Sequence, residues 1–187
     1  MKMILTALRV SLLLMILCGL LYPLVTTGLA QAMFPKQANG SLIQSKGMVI
    51  GSELLSQNTA SPKLFHPRKS AGDFDPTAST GSNRAVASEE YVKEIQEQVE
   101  VLRKDNAALK EIPADLITTS GSALDPDLSP EAAKAQIPRI SRAAGITEQR
   151  LLELVDSLIQ ARQLGVFGEP RVNVLALNIE LLKLIQQ

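Results

Sequence analysis

The sequence predicts an α+β protein: a single N-terminal transmembrane helix followed by one compact extracytoplasmic domain. Three observations carry that expectation. No charged side chain lies between Arg9 and Lys36. Several later segments repeat apolar residues at three- and four-residue steps, the period of a helix lying on a core. Between them stand short β-rich or turn-rich runs, too brief for helices. The predicted division is 1–35 for the anchor, with its helix over about 4–32, and 36–187 for the domain.

The anchor comes first in the chain. Residues 10–31 read VSLLLMILCGLLYPLVTTGLAQ, which as helix spans about 33 Å and matches a hydrocarbon core. A cleaved signal peptide would use Ala30 and Ala32 around Gln31, but its apolar region should be only about 7–15 residues long. A lipoprotein signal would want small residues before Cys18, where Met15, Ile16 and Leu17 stand. The expectation is an uncleaved anchor. Lys2 and Arg9 flank its N-terminal end, and the positive-inside rule then places the N-terminus in the cytoplasm and the domain outside the cell membrane. Gly19, Pro23, Thr26 and Thr27 make a strip of small or polar residues that suits a neighbouring helix, with threonine hydroxyls bonding across the contact. Pro23 should bend the helix, since it lacks an amide donor.

Residues 36–87 are rich in Gly, Ser, Asn and Pro, which predicts short strands and ordered loops and no helix. Ser88 caps a helix running to about Lys110, ended by Pro113. Its stripe of Val92, Ile95, Val99, Leu102 and Leu109 is broken by Asn106, so it reads as one face of a core and not as a coiled coil. The DLITT run at 115–119 is β-rich and leads into a Ser-Gly-Ser turn. Ser129-Pro130-Glu131 starts a helix towards Ala144, kinked by Pro138 and stopped by Gly145. Thr147 caps the next, with Leu151, Leu154, Val155, Leu158 and Ile159 on one face. Gly165 and Gly168 break the chain before a last helix over roughly 173–185.

Composition narrows the chemistry. The 187 residues carry 19 basic and 19 acidic side chains, 3% aromatics and no tryptophan, so the basic, aromatic-studded stripe of a nucleic-acid binder is absent. One histidine and one cysteine cannot supply a zinc site or an intrachain disulfide. No G-x-x-x-x-G-K-[ST] loop or G-x-S-x-G elbow is present. Asp125-Pro126-Asp127 and Asp73-Phe74-Asp75 lack the ligand register of a calcium loop and read as turns. His66, between Phe65 and Pro67, reads as a hydrogen-bonded loop or interface histidine. A membrane-anchored serine hydrolase would need a serine folded beside it. No catalytic residue and no metal ligand is assigned.

The loops themselves are more specific. YPLVTTGLAQAMFPKQANGSLI at 22–43, FHPRKSA at 65–71, ASTGSN at 78–83, DLITTSGSALDPDLSPEAAKAQIPRI at 115–140 and GEPRVNVLALN at 168–178 resemble, in order, the C subunit of the Kdp-type potassium-transporting ATPase. The resemblance implies a non-catalytic accessory subunit of an ATP-driven potassium uptake pump in the cell (inner) membrane, in contact with lipid. Its implied partners are a channel-like potassium-translocating subunit and a P-type ATPase subunit that binds ATP. It implies a role in assembly and in raising the catalytic subunit's ATP affinity, as a catalytic chaperone. It also carries an alternative, direct nucleotide binding, for which Ser120, Gly121, Ser122 and Gln136 are the candidates. The positive charges of the anchor oppose that alternative, because they place these loops where ATP is absent. No intrinsic cofactor is expected; ATP enters through the catalytic subunit.

The matching residues that remain are expected to build the fold or touch a partner. They are His66, Pro67 and Arg68; Gly81, Ser82 and Asn83; Asp125 and Pro126; Pro138 and Arg139; and Gly168, Glu169, Pro170, Arg171 and Asn173. Gly81, Gly121 and Gly168 suit turns that a Cβ would resist. Arg68, Arg139 and Arg171 each follow a proline, where a planar five-donor group can tie carbonyls or a partner's carboxylates.

Overall fold

The computed structural model describes residues 2–45, 47–107 and 109–186. It mixes helix and strand, as the sequence predicts, and divides into two compact units, 1–50 and 51–187.

In the first unit, α1 (Lys2–Ile16), a π turn (Leu17–Leu21) and α2 (Tyr22–Met33) run on as a single apolar helix. At 32 residues it is long and apolar enough to cross a membrane. The irregularity expected at Pro23 takes the form of that π turn. In a regular helix the proline ring would press on the carbonyl of Gly19, four residues back. Here the Tyr22 amide donates instead to the Leu17 carbonyl, five residues back, which widens the turn just ahead of the ring. A four-residue helix, α3 (Pro35–Ala38), follows where only loop was expected, because Pro35 pre-sets a helical φ at a first turn. Strands β1 (Leu42–Ser45) and β2 (Met48–Ser52) then pair.

The second unit holds the core. Its helices are α4 (Glu89–Asp105), α5 (Ala114–Ile117), α6 (Pro130–Ala135), α7 (Ile137–Ala144), α8 (Glu148–Ser157) and α9 (Val174–Ile185). The predicted caps are all in place. Ser88, Ser129 and Thr147 accept from the amides of Tyr91, Ala132 and Arg150, and Gly145 ends α7 at φ +73°. Strands β3 (Asp127–Leu128) and β4 (Val172–Asn173) pair antiparallel, Asp127 opposite Asn173 and Leu128 opposite Val172. Phe65 is buried with Leu128, Ile137, Ile140, Leu151, Val155, Val172, Leu177 and Leu181. Each large side chain among them contributes about 1.5–3 kcal/mol by leaving water.

Four expectations fail. The helix at 88 ends at Asp105, not near Lys110, because Asn106 turns extended (φ −140°) and donates its side-chain Nδ2 to the Ala135 carbonyl at 3.1 Å. Its apolar stripe is not fully buried: no residue of α4 is buried, Val92 is exposed, and Ile95, Val99 and Leu102 are half-buried. The DLITT run is no strand. Residues 114–117 form a helical turn closed by the Thr118 amide and hydroxyl on the Ala114 carbonyl at 2.9 and 2.7 Å. Only Thr119 keeps a β contact, a parallel bridge to Lys69. Pro138 kinks nothing, since the chain breaks at Gln136 and the proline sits in the first turn of α7, where no amide donor is needed.

Candidate functional site

Several motif stretches within 51–187 meet around the loop at 65–68, and many of their polar side chains are bonded to backbone groups of the same domain. Two amides hold that loop by its backbone. Asn178 of α9 accepts from the Phe65 amide at 2.8 Å and donates to the Phe65 carbonyl at 2.9 Å. Gln136, between α6 and α7, does the same for His66 at 2.8 and 3.0 Å. Arg139 adds a fork, donating to the carbonyls of Pro62 (2.6 Å) and Leu64 (3.0 Å) and to Gln136 Oε1 (2.8 Å). These bonds satisfy main-chain groups that a packed interior would otherwise leave orphaned.

Arg68 pairs with Asp125 at 2.9 Å. Asp125 also accepts from the Asp127 amide at 3.1 Å, and the Pro126 carbonyl accepts from Val174 at 2.9 Å. Arg171 pairs with Asp127 at 3.0 Å. Burial pushes the Asp127 carboxyl above its usual range, with Arg171 pulling the other way. Asn173 caps α9 on Ala176 and donates to the Glu53 carbonyl at 2.9 Å. The three arginines thus serve backbone and carboxylates of their own domain.

The His66 ring faces the Ser61 carbonyl, 3.0 Å from Nε2. A carbonyl only accepts, so Nε2 carries the proton, and the ring has no serine hydroxyl there to activate. Burial, and after it the Arg139 guanidinium, holds the imidazole below its ordinary value. Burial likewise lowers Arg139, which stays charged.

The 120–122 turn is closed on itself. Ser120 Oγ accepts from the Ser122 amide at 3.3 Å and Ser122 Oγ from Leu124 at 3.2 Å. Ser79 of the 78–83 stretch donates to the Ser122 carbonyl at 3.1 Å. Gly81 lies so near that a Cβ there would stand 3.2 Å from the Gly121 carbonyl. Gln136 spends its amide on His66 and does not join this turn. Ser120 and Gln136 are both buried, and these bonds tie the turn and Gln136 to different neighbours.

An open cleft of about 350 Å³ lies beside the loop, lined by Asn58, His66, Pro67, Arg68, Lys69 and Thr119 among others. Its two cations are paired, Arg68 with Asp125 and Lys69 with Glu94 at 3.2 Å, and Arg84 of the adjoining opening takes the other Glu94 oxygen. Ser82 lines an adjoining opening, and Asn83 is exposed with φ +51°.

At the far end of the GEPR stretch stands a braced hairpin. Gln160 and Arg171 exchange main-chain bonds at 2.8 and 3.1 Å, as do Gln163 and Phe167 at 2.9 Å each. Leu164, Gly165 and Gly168 take positive φ, and Arg162 pairs with Glu169 at 2.5 Å. Pro170 is exposed. The tip displays Leu164, Val166 and Phe167, exposed by 90, 71 and 64%. Sequence reasoning passed over this tip and over Asn178. Their signals were two apolar residues between Gly165 and Gly168 with Leu164 just before them, and an amide at Asn178 on the apolar face of VLALNIELL, where Val174, Leu177 and Leu181 are buried.

In the anchor, Gly19 has open space around it, while the Thr26 hydroxyl turns back onto the Tyr22 and Pro23 carbonyls of its own helix. The threonine expected to bond across a helix contact is already engaged.

Comparison with known proteins gives one answer. The family model described as K+-transporting ATPase, c chain, matches residues 4–183. The potassium-transporting ATPase KdpC subunit of Geobacter sulfurreducens is 50% identical over 171 residues, 89% of each chain. That of Myxococcus xanthus is 48% identical over 95% of this chain and 86% of its own. That of Caldanaerobacter subterraneus subsp. tengcongensis is 45% identical over 96 and 94%. The likeness read from five short stretches thus extends through anchor and domain together, and the chain belongs to the KdpC family, the c chain of the K+-transporting ATPase.

Proposed function

We propose that this chain is a non-catalytic accessory subunit that holds a potassium pump together and tunes its ATP use through contact, not by binding ATP. The observation that carries the reading is how the motif side chains are spent. Arg68, Gln136, Arg139, Arg171, Asn173 and Asn178 bond to the domain's own backbone and carboxylates, which builds a rigid body instead of a reactive site. What this body offers outward is the apolar tip at Leu164, Val166 and Phe167, the kind of rigid anchor that fills a partner's pocket.

The partners in this reading are the channel-like subunit, which the anchor and the domain both contact, and through it the P-type subunit that uses ATP. The N-terminus lies in the cytoplasm and the domain outside the inner membrane, as Lys2 and Arg9 favour. Topology tests this against direct nucleotide binding. Glu100→Cys, in a chain with Cys18→Ala, should react in intact cells with a maleimide that cannot cross the membrane. Labelling only after lysis would put the domain inside, with the ATP, and would reverse the reading.

A further inference from the structure

We propose that the main-chain carbonyl of Cys18 is a docking point inside the membrane, accepting a hydrogen bond from a hydroxyl or amide side chain on a transmembrane helix of another pump subunit. The inference rests on the accessory-subunit reading and names the chemistry of one contact within it.

The argument begins with which amides a carbonyl can reach. In an α-helix it accepts from the amide four residues on, and in a π turn from the amide five residues on. For Cys18 these are Tyr22 and Pro23. The Tyr22 amide is committed to the Leu17 carbonyl, and proline has no N–H. Both in-line donors are gone.

Depth makes the loss matter. Within the uncharged stretch 10–31, Cys18 lies about 12 Å from one end and about 20 Å from the other at 1.5 Å per residue. That is well inside a hydrocarbon core about 30 Å thick, where no water replaces a missing donor. An unmet carbonyl there costs several kcal/mol. The serine and threonine nearest along the chain, Ser11 and Thr26, are seven and eight residues away, beyond the reach of a hydroxyl within one helix turn, and Thr26 donates to Tyr22 and Pro23. Gly19, next in the chain, has no side chain, and apart from its chain neighbours and its own helix's backbone nothing stands within 4 Å of where a Cβ would be. An acceptor without an in-line donor, beside a glycine, fits a neighbouring helix that carries a donor.

Cys18 is the only cysteine of the chain, so cysteine labelled with carbon-13 at its carbonyl marks this one group. The labelled subunit is studied by isotope-edited infrared spectroscopy, first alone in lipid vesicles and then assembled with the unlabelled remaining subunits. The labelled band should move to lower frequency on assembly. Pro23→Ala restores an amide at the missing position. It should show the lower-frequency band without partners and should associate about three- to tenfold more weakly, the range one interhelical hydrogen bond gives. Assembly without a band shift, or undiminished association of Pro23→Ala, overturns the proposal and leaves the accessory-subunit reading standing. A low-frequency band already present in the isolated wild-type subunit, from a second copy or from water, overturns it as well. Failure of the wild-type chain to assemble at all removes the accessory-subunit reading, and this inference with it.

Discussion

Gln136 grips the backbone of His66 from both sides, its Oε1 2.8 Å from the His66 amide and its Nε2 3.0 Å from the His66 carbonyl. Gln136→Ala leaves both groups and one Arg139 donor without that partner. The expected cost is about 1–3 kcal/mol, read as a lower urea midpoint for the full chain in detergent. An unchanged midpoint would mean that the loop is held without this amide.

His66 gives the fold a pH dependence whose sign follows from its displacement. The imidazole sits below its ordinary 6.5, so the unfolded chain binds more protons as pH falls through that value. Stability is complete above 6.5 and is lost as pH drops through the folded value. Asp127, displaced upward by burial, acts in the opposite sense, losing stability as pH rises above its ordinary 3.8. His66→Gln should flatten the loss below 6.5 in denaturation curves run across pH.

ATP turnover of the assembled pump should stay within a few-fold of wild type in His66→Ala. A drop of roughly a hundredfold with assembly intact would match the lower range for a catalytic acid or base and would reinstate the histidine as one.

The hairpin tip should matter to partners and not to folding. Val166→Ser with Phe167→Ser changes side chains that are 71 and 64% exposed, so stability should stay within about 0.5 kcal/mol of wild type. Recovery of the other subunits with a tagged double variant should nevertheless fall several-fold. Full recovery would assign docking to some other part of the surface.

ATP titrated into the isolated full chain in detergent should give no saturable binding, because Gln136 and the 120–122 turn are closed on themselves. Saturable binding that Ser122→Ala weakens would restore the nucleotide reading.

Much of this architecture was legible in local chemistry. Ser88, Ser129, Thr147 and Gly145 announce helix ends because capping is decided within a few residues. What stayed hidden was decided across the chain. The β-branched residues of DLITT favour a strand, yet Thr118 closes a helical turn on Ala114 and half-buried Leu116 packs on the core. Asn106 stood out as a break in an apolar stripe, but only its bond to Ala135, 29 residues away, explains why the helix stops there. The arginine ties were open to two readings from sequence, because a guanidinium beside a proline does not say whose carbonyl it will meet.

The bond pair between Phe65 and Asn178 joins positions 113 residues apart, and this bears on the order in which the protein is made. Translation delivers the Phe65 loop long before α9, so the loop waits, unclamped, until Asn178 has been read. Contacts this distant are closed late and slow the search for the native state. A ribosome that stops short of Asn178 releases a chain with its anchor complete and its domain unable to close. The domain's surface is thus finished only once α9 has joined the Phe65 loop.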